Sequence, residues 1–473
     1  MQIENQKKKT PWIKSGSALD RFLTKQFGSS VFSYRDIFGM LGPIVLDQFF
    51  ISIIGLLTTA MISSSSQESV TAVSLVSPLY MMIYAIFNAI SSGGTVIVAQ
   101  YKGRNDKEKM RKAAGQVMIA TVAIAFISLL SLILFSKALV GWMFSGAGAV
   151  VIQKAGDYLI GVAISLIFHS VYMGAFAVFR GIGETKICLR LTIIINLIHL
   201  FASMLFLNVL HLDILGTALS LNLARLIGGT VALYYLLRPN DVLQVSLKDI
   251  FCIHKNILKP IFKVGLPFAL EQVFFNGGSM IVQTYMVSLG TICVAANAVA
   301  NSAFSILYAG GIAVSTLAIT VVGQCIGTGD KKLARHYGKK MIVLGTGMVL
   351  ISIAVFYPMM PFILKLYGAP KETLNIIHNL LVIAMIPMPF FWSISNVMPC
   401  VLRAAGDSMF TSGVSLVTMW IVRVGLGYLA AIPFGLGVQG VWICMGIEWA
   451  VRTVIFYLRF HSESWLKKQV LKE

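Results

Sequence analysis

The chain has 473 residues, of which 57% are apolar and only 12% charged, and its mean hydropathy is +0.81. A soluble globular protein carries about 25% charged residues, so an ordinary array of water-soluble domains is excluded. The net charge of +19 raises nucleic acid as a partner, and the placement of the charges decides that question.

Residues 1–36 form a polar, basic tail that includes Lys7, Lys8 and Lys9, with no short apolar core of a cleavable signal peptide. Apolar runs then follow at 37–61, 70–96, 113–136, 157–179, 189–210 and 215–237. A more polar segment, 239–263, leads to six further runs at 264–288, 294–322, 341–363, 374–399, 409–431 and 437–458, and a basic tail closes the chain at 460–473. Each run has about the 20 residues that cross a bilayer as a helix. In hydrocarbon every backbone polar group must be paired within the span, so helices are expected; a β-barrel would show alternation in segments of about ten residues. The segment 239–263 carries Val242, Val245, Ile250, Ile253 and Ile257 in a weakly amphipathic pattern. It reads equally as an interfacial helix or as a tether.

Sorted by these spans, 31 of the 38 Lys and Arg fall in one set of loops and tails, four (Lys137, Lys154, Lys365, Lys371) in the opposite set, and three (Arg225, Arg423, Arg452) within spans. Positive loops stay cytoplasmic, which places both termini inside the cell and localises the protein to the cytoplasmic (cell) membrane. The basic charge thus reads as topology and attraction to anionic lipid at the cytoplasmic face, with no nucleic acid. The six cysteines are scattered without Cys-x-x-Cys spacing, which argues against a disulfide framework or a metal site. No cofactor is expected.

The sequence also repeats. Pro43 and Pro267, Asp47 and Glu271, Gln48 and Gln272, Gln100 and Gln324, Gly103 and Gly327, Asp106 and Asp330, and Arg111 and Arg335 are all 224 residues apart. "FRGIGET" at 179–185 matches "LRAAGDS" at 402–408 with an offset of 223, pairing Arg180 with Arg403. An offset that covers six spans, an even number, gives two halves of the same orientation. The expected fold is therefore an all-α integral membrane protein of twelve transmembrane helices, in two six-helix halves (37–238 and 264–459) related by a pseudo-two-fold along the membrane normal. In such folds the transport site lies between the halves near the midplane.

Intramembrane polar residues give the candidates. Asp47 lies ten residues beyond Ile37, or roughly 15 Å at a helical rise, and Glu271 eight beyond Lys263, or about 12 Å; both should reach the midplane. A charge there costs about 2.5–3.5 kcal/mol on insertion scales, so it must face a cavity, find a partner or be protonated. A carboxylate that binds either a proton or an organic cation is a sufficient antiport device; the alternative is a helix-packing donor to carbonyls freed near Pro43 and Pro267. Glu448 and Arg452, at i and i+4, read as a structural pair. Arg225 and Arg423 read as interhelical salt bridges or, for Arg423, as the counter-charge of Glu271. His169 and His199 are candidates for titration near neutrality, although a packed hydrogen-bonding histidine is the more common case. Gln48, Gln272, Asn88, Asn196, Asn276 and Gln283 are candidate cavity groups or helix-packing residues. Tyr84, Phe275 and Met280 are candidate apolar wall. The loop glycines Gly103, Gly327, Gly183 and Gly406 allow tight turns, and the arginines beside them are expected to cap helix ends and reach lipid phosphate.

The duplicated Gln-x-x-Gly with its basic stretch, the duplicated Arg-x-x-Gly-Asp/Glu-Ser/Thr, and "PFALEQVFFNGG" in the seventh span together resemble the multidrug and toxic compound extrusion (MATE) family over nearly the whole chain. The resemblance implies a cation-coupled antiporter, driven by protons or sodium, that expels organic and chiefly cationic drugs or metabolites. Glu271 matches the family's acid in the seventh span. The family's aspartate late in the first span is replaced near Thr58, three turns from Asp47 along one face, so Asp47 is a candidate replacement for it. The Asn-x-x-x-Asp of the fifth span reads "NLIHL" here, with Asn196 kept, Leu200 at the acid position and His199 beside it. The sodium-associated aspartate of the tenth span falls near Trp392. The substrate and ion-coupling candidates are therefore Asp47, Glu271, Arg423, Thr58, Gln48, Gln272, Asn276, Asn196 and His199, in a monomeric transporter. A lipid-linked oligosaccharide flippase of the wider superfamily and a non-transporting membrane receptor are the rival readings. No nucleophile–base pair or metal spacing points to an enzyme.

Overall fold

The computed structural model describes residues 16–62, 67–143, 149–238, 242–366, 370–462, 464–468 and 470–471, and among them all regular structure is helical. A short helix, α1 (Ala18–Phe27), precedes the first half. That half contains α2 (Tyr34–Ile62), α3 (Gln67–Gly103), α4 (Lys107–Met143), α5 (Ala149–Ile182), α6 (Thr185–Ser203) and α7 (Asp213–Leu237), with α6 continued by a π-helical stretch, Met204–Val209. A five-residue helix, α8 (Leu247–Phe251), links it to the second half. There follow α9 (Lys255–Val287), α10 (Thr291–Gly327), α11 (Lys331–Leu366), α12 (Lys371–Met385) and α13 (Ser393–Ala404). The last spans are α14 (Ser408–Thr418), which runs through a π-helical stretch (Met419–Leu426) into α15 (Gly427–Ala431), and α16 (Gly437–His461).

Ten spans are single helices long and apolar enough to cross a membrane, α14 and α15 together forming one of them; α12 and α13, bent by 44°, supply an eleventh. The twelfth is α9, whose 33 residues suffice in length. Glu271, Gln272, Asn276, Gly277 and Gly278 in its middle make it less apolar than the rest. All twelve expected spans are thus present, six in each half.

The linker carries a short helix and is no free tether. It is pinned to α4: Gln116 donates to the Cys252 carbonyl (2.7 Å), His254 N–H donates to Gln116 Oε1 (2.9 Å), and Arg111 pairs with Asp249 (3.1 Å). Leu247, Phe251 and Ile253 remain exposed, as suits a short interfacial anchor. The seventh span begins at Lys255, earlier than its apolar run suggests, because Ile257, Ile261 and Val264 bury themselves in the core of the first half and carry the helix back with them.

The first helix of each half crosses to the other half. Ile37, Met40, Leu41 and Ile44 of α2 pack with α10, α11 and α13 residues such as Val314, Tyr337 and Val401. Ile257, Ile261 and Val264 of α9 pack with α3 and α4 residues such as Ile90, Val96 and Val117. The chain ends follow the same exchange. Phe27 and Phe32 join the core of the second half, where Tyr337 donates to the Phe27 carbonyl (2.8 Å), and Val470 and Leu471 join the core of the first.

At the end of the bundle that carries the basic loops the halves meet closely. A Cβ on Gly103 would lie 1.9 Å from the Gln324 carbonyl oxygen, and one on Gly327 2.1 Å from that of Gln100. The two glutamine side chains cross between halves: Gln100 Nε2 donates to the Ala404 carbonyl (2.7 Å), and Gln324 Nε2 to the Gly181 carbonyl (3.0 Å). At the opposite end α3 and α9 part around a cleft of about 480 Å³ lined by Ser74, Ser77, Pro78 and Met81 on one side and Asn276, Ser279, Met280 and Gln283 on the other.

Candidate functional site

The two membrane acids are buried and each meets an arginine of its own half. Asp47, 2% exposed, accepts from Arg180 Nη2 at 3.4 Å; Glu271, 7% exposed, accepts from Arg403 Nη2 at 2.5 Å. Each guanidinium also lies over an aromatic ring, Arg180 over Phe176 (4.1 Å) and Arg403 over Phe268 (3.9 Å). Both halves of each pair obey the sequence repeat. The sequence suggests helix capping and lipid contact for these arginines; instead they turn inward from the last turns of α5 and α13, because a buried carboxylate stands within reach of each.

The pairs are not equally tight. Arg403 Nε has a second partner in Thr411 Oγ1 (3.1 Å). In the first half Asp47 Oδ1 and Arg180 Nε are buried without a hydrogen-bond partner. Arg180 thus reaches the Asp47 carboxylate at one oxygen, at the longer distance, with Thr192 beside it.

Each paired arginine stands next to the closed end. The Arg180 carbonyl accepts from Thr320 Oγ1 of the other half (2.9 Å), and the next residue, Gly181, accepts from Gln324. In the second half the residue after Arg403 is Ala404, the acceptor of Gln100. Ion pair and seal are thus one residue apart in both halves.

Arg423 does not face Glu271. Its Nε donates to Glu448 Oε2 (2.6 Å), and Arg452 takes the other carboxylate oxygen, so Glu448 holds two arginines. Glu271 is occupied by Arg403, and Arg423 lies instead over Phe275, one turn away (5.3 Å). Arg452 is further fixed by Thr418 Oγ1 (2.8 Å) and the Ser415 carbonyl (2.9 Å). The i, i+4 pair is present as expected, extended by a third charge.

Asn196 and His199 come together in the first half. With Ile51, Tyr84, His169, Tyr172, Thr192 and Arg225 they line a cavity of about 150 Å³ between α2, α3, α5, α6 and α7. Thr192 adjoins Asp47. Asn276 and Gln283 line the open cleft between halves, and Asn276 Nδ2 donates to the Gln272 carbonyl of its own helix (2.7 Å). Gln48 and Gln272 are half-buried on the helices that carry the acids. Thr58 lies in α2, but its side chain is outside the described residues. Sequence reasoning leaves Arg180 and Arg403 out of the site; their duplication at an offset of 223, one residue from the 224 of the acids, is the signal that could find them.

Comparison with known proteins then decides the family. The MatE family model matches the chain twice, at residues 43–205 and 267–429, and the two matches are displaced by the 224 residues of the internal repeat. The chain belongs to the MatE family. This MatE-family chain is 27% identical over 439 residues to the Bacillus subtilis (strain 168) protein "Uncharacterized transporter YisQ", covering 91% of this chain and 95% of that one. It is 22% identical to "Probable multidrug resistance protein NorM" of Thermotoga maritima, covering 91% and 92%. Among solved structures it matches one described as "Outward-facing conformation of a multidrug resistance MATE family transporter of the MOP superfamily", with a TM-score of 0.84, 19% identity, and coverage of 92% and 96%. The MatE fold of twelve spans in two halves makes the protein a multi-pass membrane transporter and not an enzyme.

Proposed function

We propose that this MatE transporter exports small organic molecules, drugs or toxic metabolites, from the cell by cation-coupled alternating access. The observation that carries the reading is the buried acid–arginine pair repeated in both halves, each one residue from the contact that seals one end of the bundle. The positive-inside rule assigns the sealed, basic end and both termini to the cytoplasm. The conformation described is then outward-open, with the cleft of α3 and α9 facing outside.

The coupling ion, a proton or sodium, enters from outside and takes the free oxygen of Asp47. Neutralised, Asp47 releases Arg180, and the shift of the α5 end loosens the Gly181–Gln324 and Arg180–Thr320 contacts. The seal opens inward, and the exported molecule binds as the ion leaves. Asp47 is the exchanging site because its pair is the looser; Glu271, held tightly by an arginine with a second anchor, repeats the design in the other half. Met81, Met280 and Pro78 give the cleft an adaptable apolar wall, and Ser74, Asn276 and Gln283 give it hydrogen-bonding groups. Organic cations suit such a wall and compete for the same carboxylates. Anionic lipid at the basic face and a monomeric state complete the reading.

The test is reconstitution. Proteoliposomes should move an ethidium-like cation under an imposed proton or sodium gradient, each applied separately. No movement of any organic cation under either gradient would sink the antiport reading.

A further inference from the structure

Arg225 is the membrane cation for which the ion-pair scheme gives no acid. It is 6% exposed; its Nη1 donates to Ser165 Oγ (2.6 Å) and its guanidinium lies 5.1 Å from the Tyr80 ring. Among the described residues no carboxylate pairs with it. Arg180, Arg403, Arg423 and Arg452 all contact one. The repeat shows where the missing acid would stand: at an offset of 224, Glu448 corresponds to Ala224.

A guanidinium buried in an apolar interior is retained when a counter-charge can reach it. Arg225 lines the 150 Å³ cavity of the first half together with Tyr84, His169, Tyr172, Asn196 and His199. His169, 5% exposed and stacked on Tyr84 (5.0 Å), has a buried Nε2 with no hydrogen-bond partner. An unneutralised cation and an unmatched ring nitrogen thus line one cavity. The acid beside the cavity, Asp47 next to Thr192, is already held by Arg180.

We propose that this cavity receives the carboxylate, or a similar monoanionic group, of the transported molecule, with Arg225 as counter-charge and His169 as a hydrogen-bond donor in its Nε2–H tautomer. A substrate that also carries a positive group would then be a zwitterion. The inference rests on the export reading but adds a recognition element to it, and its test needs neither a gradient nor transport, so the two can fail separately.

The experiment is calorimetric titration of the full-length protein in nanodiscs of zwitterionic lipid, with three probes of one shape: naphthoate, naphthamide and naphthylmethylammonium. A charge-assisted hydrogen-bond pair predicts that naphthoate binds at least about tenfold tighter than naphthamide; the ammonium reports separately on the cation site of the cleft. Arg225→Gln should bring the affinity for naphthoate down to that for naphthamide, and Arg225→Lys should keep part of the preference. Equal affinity of the wild-type protein for naphthoate and naphthamide overturns the proposal. So does an undiminished anion preference in Arg225→Gln. The wild-type comparison decides even if a variant fails to fold.

Discussion

Asp47 and Glu271 occupy matching places in the two halves, yet their pairs predict different mutant behaviour. Glu271→Gln leaves Arg403 with one neutral partner in a dry environment, and breaking a buried pair from one side costs about 3–5 kcal/mol. Asp47→Asn breaks a longer, single-point contact and should cost clearly less, while abolishing gradient-driven transport. Thermal unfolding in detergent alongside proteoliposome flux separates the two; equal loss of stability in both variants would contradict the asymmetry. Glu448→Gln strips two arginines at once. It should destabilise by at least the same roughly 3–5 kcal/mol and, on the proposed cation-coupled reading, leave the choice of ion unchanged, checked by the same pair of measurements. The acids themselves are legible in the sequence, because a carboxylate in an apolar run is conspicuous and the repeat names its twin. Their partners are not. Arg180 and Arg403 stand at the ends of apolar runs, where an arginine can turn outward to lipid or inward to a charge, and hydropathy does not distinguish the two. Arg423 shows the converse: mid-span placement marks it as paired, but the i, i+4 spacing gives Glu448, a helix away, wholly to Arg452.

At the scale of elements, all twelve spans follow from apolar length, while bends and starts do not. The α12–α13 bend contains the π-helical stretch Met388–Trp392, and Trp392 packs where α10 offers Gly311: a Cβ there would lie 2.2 Å from the Trp392 ring. Gly311→Ala should therefore overpack this crossing and destabilise by about 1–3 kcal/mol. Gly347 in α11 faces open space, with no neighbouring heavy atom within 4 Å of where a Cβ would stand. Gly347→Ala should be neutral or, by relieving backbone entropy, stabilising by about 0.5–1 kcal/mol. Melting temperatures of the two variants against the parent check both signs. The early start of α9 is hidden for a related reason: Lys255, Lys259 and Lys263 make its first turns polar in sequence, whereas Ile257 and Ile261 on the other face are claimed by the opposite half.

For the whole molecule, the two crossed glutamine contacts and the Gly103 and Gly327 approaches make the basic end a pseudo-symmetric seal, and the exchange of α2 and α9 between halves means that opening it must rotate both halves together. Each glutamine hydrogen bond contributes about 1 kcal/mol net, so removing both should change the closed-to-open ratio by about 30-fold. Spin labels on cysteines at Glu108 and Lys332, exposed positions at the sealed end of opposite halves, report the change as an electron–electron distance distribution, in a background where exposed Cys252 is replaced by Ser. The parent should show chiefly one short-distance population, and Gln100→Leu with Gln324→Leu should add a longer one. If Asp47 governs the seal through Arg180 and Gly181, Asp47→Asn should add the same longer population with both glutamines intact, because it imitates the ion-loaded carboxylate. A long population in the glutamine variant but none in Asp47→Asn would uncouple the ion pair from the gate and leave the seal as a structural clamp alone. The same distribution in both would place the carboxylate, its arginine and the neighbouring carbonyl on one mechanical path.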